Sequence, residues 1–404
     1  MVPNAQERPV HPVIWSALNI PLGLTSGFTI ITLSFLLAQA QISTSAIAAL
    51  IGLTYLPTTW GLLWAPIVDV TLTRRVWFSI GTLAAGSGMA VVTLLLSREA
   101  PLPWITLMTV FYSVGGAVSS AAANGIIAHG AADNAKGRAG GWSQAGNVGA
   151  QGLGGGGALF VATHTGAAWS AGICAFLLCL ASLAALPFTP MGKSVTGAFA
   201  PLTAIRQIGK DLSDLWRSTP GLLALILVGL PTATAAAENL WSAIAASWHA
   251  SADQVAMADG LLGGALSLAG ALAAGQACDR FDRKTVYLLC GLACALCDLT
   301  LIAAPRTPEV FVIAICLYSF MTGATYGTFA AVVLEVIDSK AAATRCALFI
   351  TIYSLPVSGM TILEGWIHDR LGATGMLASE AAASICAALV FIVVRRAVER
   401  KSAA

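Results

Sequence analysis

One acidic residue, Glu238, lies well inside a long apolar stretch of the chain, in the segment Ala-Ala-Ala-Glu-Asn-Leu-Trp at residues 235–241. A low-dielectric medium disfavours a charged carboxylate, so such a side chain can take up and release a proton near neutral pH. That chemistry would couple the movement of a solute to the movement of a proton. An acid in contact with water at the outer interface is the other interpretation. We predict that Glu238 is a proton-coupling residue.

Polar residues in other apolar stretches are candidates for lining a cavity that holds the solute. Two groups recur at spacings of three and four residues, which places each group on one face of a helix. Hydrogen bonding between helices is the alternative role for such residues. The predicted cavity residues are Thr25, Ser26, Thr29, Tyr55, Tyr112, Gln144, Asn147, Gln151, Asn239, Tyr318, Thr322 and Tyr326.

The composition indicates that long apolar helices must position these side chains. Of 404 residues, 57% are hydrophobic and 10% are charged, and the mean hydropathy is +0.80. Soluble domains carry about 25% charged residues, so water is not the solvent for most of this surface. Nine cysteines are scattered through apolar runs, which argues against a disulfide framework. No nucleotide-binding, metal-binding or nucleic-acid motif is recognised, and no cofactor is expected.

Twelve apolar runs are long enough to cross a bilayer, which requires about 20 residues. They predict an all-α integral membrane protein with twelve transmembrane helices in two six-helix lobes, residues 1–190 and 220–404, joined by a polar linker at 191–219. The predicted spans are 13–38, 46–68, 75–97, 102–130, 138–162, 167–190, 220–247, 254–278, 284–304, 308–336, 343–367 and 373–396.

The basic residues predict the orientation. If both termini are cytoplasmic, only Arg98, Arg306 and Arg370 lie in outside loops, which leaves 21 − 3 = 18 of the Lys and Arg residues inside. Cytoplasmic loops carry an excess of Lys and Arg in membrane proteins, so we predict this topology.

Two charged joints between helices lie half a chain apart and indicate an internal repeat, because their acids, Asp69 and Asp279, are 279 − 69 = 210 positions apart. We predict a charge latch that holds the cytoplasmic side shut, and plain anchoring of helix ends is the alternative. The predicted latch residues are Asp69, Arg74, Arg75, Arg138, Asp279, Arg280, Arg283, Lys284 and Arg345.

Both joints resemble known transporter motifs. Residues 275–284 resemble the signature G-x-x-x-D-[RK]-x-G-[RK]-[RK] of the major facilitator superfamily. Residues 53–69, with Leu-Pro at 56–57 and Leu-Trp-Ala-Pro-Ile-Val-Asp at 63–69, resemble the second helix of AmpG-type muropeptide permeases and acetyl-CoA transporters. Short siderophore permeases share this pattern. The Lys of that family motif is replaced here by Gly61, which removes an expected basic contact with an anionic substrate.

The resemblance implies a monomeric transporter that imports a small organic solute with protons by alternating access, in a bacterial inner membrane. It also implies that Asp298 and Glu380 fall on peripheral helices. Glu364 is expected at an outer gate or in a solvated loop, and Asp259 at the outer vestibule. An efflux antiporter for apolar compounds and a non-transport assembly factor are the alternatives. No motif supports an enzyme.

A glycine-rich run at residues 152–157 invites comparison with a phosphate-binding loop. It lacks the following Lys-Ser/Thr and lies inside an apolar helix. We therefore expect its small residues to allow close helix packing instead.

Overall fold

The computed structural model describes residues 11–61, 72–130, 136–186, 209–210, 212–336 and 342–403. Within these ranges the secondary structure is helical and no strand is present. The linker predicted at 191–219 lies largely outside the described residues, as do Asp69 and the Trp-Ala-Pro motif.

The first lobe consists of helices α1 to α6, after a short helix at Pro12–Ala17. Helix α2 is divided near Pro57, and α5 contains a π-helical turn at Ala150–Gly154. The helices are α1 (Ile20–Gln39), α2 (44–59), α3 (Arg74–Ser97), α4 (Leu102–Gly130), α5 (136–165) and α6 (Ala167–Ser182).

The second lobe consists of helices α7 to α12. Helix α7 is broken into short pieces, and the helical run Ala342–Ala403 is divided at Gly372, whose φ is 67°. The helices are α7 (219–248), α8 (Ala252–Cys278), α9 (Arg283–Ala303), α10 (Pro308–Val336), α11 (342–371) and α12 (373–403).

Seven helical stretches in the described ranges are long and apolar enough to cross a bilayer. They comprise α1, α3, α4, α8, α9, α10 and the continuous run Leu348–Arg400, which contains most of α11 and α12. The chain is therefore a multi-pass membrane protein. Helices α2, α5, α6 and α7 do not meet this criterion, so the twelve predicted spans are not all long uninterrupted helices.

Side-chain caps explain where several helices begin. Ser43, Thr73, Ser218, Ser251 and Asp282 each accept a hydrogen bond from the backbone N–H three residues further on. This interaction satisfies an N–H group that has no partner within the helix. The residues just before the apolar runs thus set the positions of α2, α3, α7, α8 and α9.

Glycines bring helices of the same lobe into backbone contact, as between α8 and α10. A Cβ atom on Gly270 would lie 1.9 Å from the carbonyl oxygen of Phe320, and one on Gly323 would lie 1.8 Å from that of Ser267. Only glycine fits at such distances, so this pair of helices packs as one rigid unit.

The lobes contact each other mainly along α2 with α11 and α5 with α8. We call the side where α1 begins the amino-terminal face, and the side where α1 ends the opposite face. At the opposite face the carboxylate of Asp369 in α11 accepts the N–H groups of Thr44 (3.0 Å) and Ser45 (3.1 Å). An acid from one lobe therefore caps the first turn of a helix in the other, where the helix dipole favours negative charge.

Candidate proton and substrate site

The break in α7 creates the most unusual backbone in the membrane region. The helix ends at Gly229, Ala235 adopts a left-handed conformation with φ 48°, and a 3₁₀ turn at Ala236–Leu240 follows. A broken helix leaves backbone N–H and C=O groups free for other partners, which is why transporters place such breaks at binding sites. Glu238 and Asn239 both lie in this 3₁₀ turn.

Two acids approach each other beside this turn. Glu238 is partly exposed and lies next to Thr322 of α10 and Asp259 of α8. Asp259 is 7% exposed and accepts a hydrogen bond from the Ser242 hydroxyl at 3.0 Å. The charges of these two carboxyl groups would repel each other in a medium of low dielectric, so the pair is suited to holding a proton.

Asn239 links the two lobes directly. Its side-chain oxygen accepts a hydrogen bond from the Tyr55 hydroxyl of α2 at 3.0 Å. Its amide nitrogen donates to the Thr361 hydroxyl of α11 at 2.9 Å. Because Asn239 adjoins Glu238 in sequence, a displacement of the turn moves the acid and the contact between the lobes together.

Aromatic side chains form a wall on the amino-terminal side of this turn. Tyr353 contacts Tyr326 and Phe329 at ring-centroid distances of 5.9 Å and 4.9 Å. Tyr326 is 47% exposed, although its helical face is the one that carries Tyr318 and Thr322, both buried. Tyr326 is therefore the exposed member of this helical face, and it lies beside the aromatic rings of α10 and α11.

The first lobe offers Ser26, Asn147 and Gln151, which are partly buried. Helix α1 packs closely on α5, because a Cβ on Gly23 would lie 2.1 Å from the Asn147 carbonyl oxygen and one on Gly27 would lie 2.0 Å from that of Gln151. The side chain of Gln144 lies outside the described residues. Cavity lining by these residues stays a prediction.

The glycine run of α5 is used for packing between the lobes. A Cβ on Gly156 would lie 2.5 Å from the Ala256 carbonyl oxygen, and one on Gly152 would lie 2.5 Å from that of Gly260 in α8. The expected close packing of this run is confirmed.

Comparisons with known proteins agree with this architecture. Residues 221–404 match the model of the Major Facilitator Superfamily. A crystal structure of a D-xylose–proton symporter aligns with a TM-score of 0.70 at 16% identity, covering 94% of this chain and 96% of that chain. The fold is the major facilitator fold. No curated protein sequence matches the chain.

Transporters of the POT family share this major facilitator fold. One structure, in complex with 5-aminolevulinic acid, has a TM-score of 0.71 at 10% identity. Another, in complex with a thioalcohol-conjugated peptide, has a TM-score of 0.71 at 9% identity. Each alignment covers 96% of both chains. The predicted fold class is confirmed, whereas the narrower resemblance to AmpG-type or siderophore permeases stays a prediction.

Four of the predicted cavity residues lie inside the lobes of this major facilitator fold. Thr29 and Tyr112 are 1% and 0% exposed, and their hydroxyl groups are 2.6 Å apart. Thr25 is 3% exposed and donates to the carbonyl oxygen of Pro21. Tyr318 is 1% exposed and donates to a carboxylate within its own lobe. The bonds of Thr29, Tyr112 and Tyr318 join helices, as in the alternative role, whereas that of Thr25 lies within α1. Cavity lining by these four residues stays a prediction.

Three buried acids of the second lobe were undervalued by the sequence interpretation. Asp298, Glu364 and Glu380 are 0%, 0% and 1% exposed. The expectation of a solvated loop for Glu364 is wrong, because this side chain is buried inside the lobe. A role at an outer gate stays a prediction. The sequence already indicated these three acids, since an ionisable residue within a membrane helix is a functional candidate by default. The resemblance to the family places Asp298 and Glu380 on peripheral helices, so neither was among the predicted site residues.

The charged joints form bonds within lobes where the structure describes them. Lys284 pairs with Glu335, and Asp282 accepts from Arg395 at 2.8 Å, all in the second lobe. Partial burial raises the pKa of Asp282, but hydrogen bonds from Thr285 and Arg395 outweigh it and hold this pKa below its ordinary value.

Among the other latch residues, no ion pair joins Asp279, Arg280 or Arg283 to a described residue of the first lobe. Asp279 and Arg280 are exposed, and Arg283 donates to the Ala331 carbonyl oxygen at 3.5 Å within its own lobe. Arg74 packs beside Gly125 of α4, and Arg75 is partly exposed. The side chains of Arg138 and Arg345 lie outside the described residues. The latch between the lobes therefore stays a prediction.

Proposed function

We propose that this protein is a proton-coupled secondary transporter that moves a small organic solute by alternating access. The observation that carries the proposal is the broken turn of α7, where Glu238 adjoins the hydrogen bond between Asn239 and Tyr55 of the other lobe. The shared fold with a D-xylose–proton symporter and with POT family transporters supports this proposal.

Glu238 is the proposed coupling residue. Its partial exposure gives it access to protons from the space between the lobes, and Asp259 beside it favours a neutral carboxyl group. A proton that binds there removes the repulsion between the two acids. The turn can then shift, and the bond from Asn239 to Tyr55 shifts with it. Proton binding would thus bias the rocking of one lobe against the other.

The distribution of charge supports a neutral or cationic solute. In the described part of the chain the Lys and Arg residues lie in loops, in end turns or in the final part of α12 from Arg395 onward, whereas five acids lie within apolar stretches. An anionic solute would meet no fixed positive charge in such an interior, and the absence of a Lys at Gly61 agrees with this. A cationic or polar solute with an apolar part fits the space beside Tyr326 and Tyr353, because aromatic faces attract cations.

The orientation and the latch are part of the proposal. We infer that the amino-terminal face lies in the cytoplasm, because 18 basic residues belong to that side. Asp69 and Asp279 with their basic neighbours would hold that face shut when the opposite face opens. In a bacterial inner membrane this cycle would import the solute, and reversed counterflow in vesicles would indicate efflux instead.

Glu238→Gln tests the coupling. Purified protein is placed in vesicles that contain a pH-sensitive dye, and neutral sugars, small peptides and organic amines are added in turn. We expect solute-dependent proton uptake with the native protein, and its loss in the variant with solute exchange retained. Glu399→Gln, at an exposed acid of α12, is the control and should behave as the native protein. Equal proton uptake by Glu238→Gln and the native protein would contradict the proposal.

A further inference from the structure

The carboxylate of Glu380 in α12 is bound to the broken part of α7. It accepts hydrogen bonds from the N–H groups of Ala236 (2.7 Å) and Ala237 (3.2 Å) and from the Tyr318 hydroxyl (2.8 Å). The Thr234 hydroxyl donates at the longer distance of 3.5 Å. The two N–H groups begin the 3₁₀ turn of α7, so they have no partner within that helix.

Two further acids lie beside Glu380 and have a different environment. Asp298 of α9 and Glu364 of α11 are both 0% exposed. Within the described part of the chain, none of their four carboxyl oxygens has a hydrogen-bond partner. Each of the two is close enough to Glu380 to interact with its charge.

The other titratable groups around these acids are neutral or acidic. Cys294 of α9 and Tyr318 of α10 face Glu380, and Glu238 of α7 interacts with it from the space between the lobes. The sequence has no Lys or Arg in the middle of α7 to α12. His368, one turn beyond Glu364 in α11, pairs with Asp369 instead. Within the described part of the second lobe, no Lys or Arg side chain therefore compensates the three buried carboxyl groups.

The hydrogen bonds decide which of the three acids is ionised. A carboxylate that accepts several N–H and O–H bonds is stabilised as the anion, and Glu380 accepts four. A buried carboxylate without any donor is strongly disfavoured relative to the neutral acid, so Asp298 and Glu364 keep their protons. One negative charge and two protons are therefore held inside the second lobe.

We propose that Asp298, Glu364 and Glu380 form a second proton-binding site, and that ionised Glu380 holds in place the α7 turn that carries Glu238 and Asn239. A proton that reaches the Glu380 carboxylate neutralises it and weakens its bonds to the Ala236 and Ala237 N–H groups. The turn is then free to move. The role of this site in transport rests on the function proposed above. The proposal that the three acids bind protons does not depend on that function.

Infrared difference spectroscopy of the purified protein tests the protonation states. Protonated carboxyl groups have a carbonyl stretching band that carboxylates and amides lack. We expect Asp298→Asn and Glu364→Gln each to remove part of this band at neutral pH. Glu380→Gln and the control Glu399→Gln should leave its intensity as in the native protein. An unchanged band in Asp298→Asn or in Glu364→Gln would overturn the proposal.

Hydrogen exchange tests the hold on α7. The native protein, Glu380→Gln, Glu380→Asp and Glu399→Gln are compared by the exchange rate of the peptide that covers residues 234–241. Charge-assisted hydrogen bonds contribute enough that we expect roughly tenfold faster exchange in Glu380→Gln. Glu380→Asp should restore part of the protection, and Glu399→Gln should resemble the native protein.

The exchange protection of the peptide that covers residues 234–241 should also depend on pH. After correction for intrinsic exchange, protection of this peptide in the native protein should fall as the pH is lowered and Glu380 binds a proton. Glu380→Gln should lack this dependence. Native protection in Glu380→Gln would overturn the inference that Glu380 positions the turn. These measurements need no transported solute, so a failure of the proposed transport function would leave their result unchanged.

Discussion

The two lobes bury related tyrosines that have different partners. Tyr112 in α4 and Tyr318 in α10 each precede a serine and a Gly-Ala pair, at corresponding positions of the two halves. In the first lobe the Tyr112 hydroxyl meets the neutral hydroxyl of Thr29 at 2.6 Å. In the second lobe the Tyr318 hydroxyl donates to the carboxylate of Glu380 at 2.8 Å. The corresponding tyrosine therefore makes a neutral packing contact in the first lobe and belongs to an acidic site in the second.

The two lobes also differ in the acidic residues that their apolar helices contain. The five acids within the apolar helices, Glu238, Asp259, Asp298, Glu364 and Glu380, all belong to the second lobe. Within the described part of its helices, the first lobe contributes hydroxyl, amide and aromatic groups instead. The proposed proton chemistry thus belongs to the second lobe, and the first lobe meets it through the hydrogen bond from Tyr55 to Asn239.

Removing the two hydroxyl groups tests this comparison most strongly. Tyr318→Phe takes a donor from a buried carboxylate, which should lower the free energy of unfolding by about 3 kcal/mol. Tyr112→Phe breaks a neutral hydrogen bond and should cost about 1 kcal/mol. Thermal and denaturant unfolding in detergent measure both variants. Equal losses would mean that the two lobes do not differ in the way described.

A substitution at the glycine contact of α5 with α8, where the two lobes meet, should have an intermediate effect on stability. A Cβ on Gly260 would lie 2.7 Å from the Gly156 Cα, whereas one on Gly264 would lie 3.6 Å from its nearest neighbour. Gly260→Ala should therefore destabilise the contact of α5 with α8 by about 2 kcal/mol. Gly264→Ala is the matched control in the same helix.

Disulfide crosslinking can measure the effect at this contact. His164 and Asp253 approach to 3.8 Å at the opposite-face end of α5 and α8. With the nine native cysteines removed, cysteines at these two positions should crosslink more than tenfold less readily in Gly260→Ala than in Gly264→Ala. Equal crosslinking in the two variants would show that the lobes do not separate along this edge.

The smallest expected effect is a change in melting temperature on removal of the Asp282 charge at the amino-terminal face of the second lobe. Asp282 caps α9 and pairs with Arg395, which lowers its pKa. A lowered pKa contributes stability above the unfolded value of about 3.9, and this contribution is lost as the pH falls through the folded pKa. Asp282→Asn should therefore lower the melting temperature at pH 7 but not in strong acid.

Asp279→Asn is the control for that change. Asp279 is exposed and has no ion pair within the described residues, so its loss should leave the melting temperature unchanged at either pH. A decrease as large as that of Asp282→Asn would indicate that Asp279 has a partner among residues such as those of the predicted latch.

Much of the fold could be predicted because membrane helices have strong local signals. The length of the apolar runs predicted the spans, whereas the Ser, Thr and Asp caps at which several helices begin were identified only in the structure. The break in α7 was missed although the sequence carries a signal for it, because the predicted span 220–247 runs through Gly229 and Pro231, which disfavour a continuing helix. The left-handed backbone at Ala235 and the 3₁₀ turn that carries Glu238 became apparent only in the structure.

The sequence by itself determined that the interior has acids and no bases, that these acids lie in one half, and that the chain crosses the membrane many times. The tertiary structure decided which acids have partners. The period of a helix tells which side chains share a face, but not which neighbouring helix that face meets. Glu380 and Asp298 are alike in sequence terms, yet four donors reach one and none reaches the other in the described residues, because the Glu380 side chain of α12 meets the N–H groups of the break in α7.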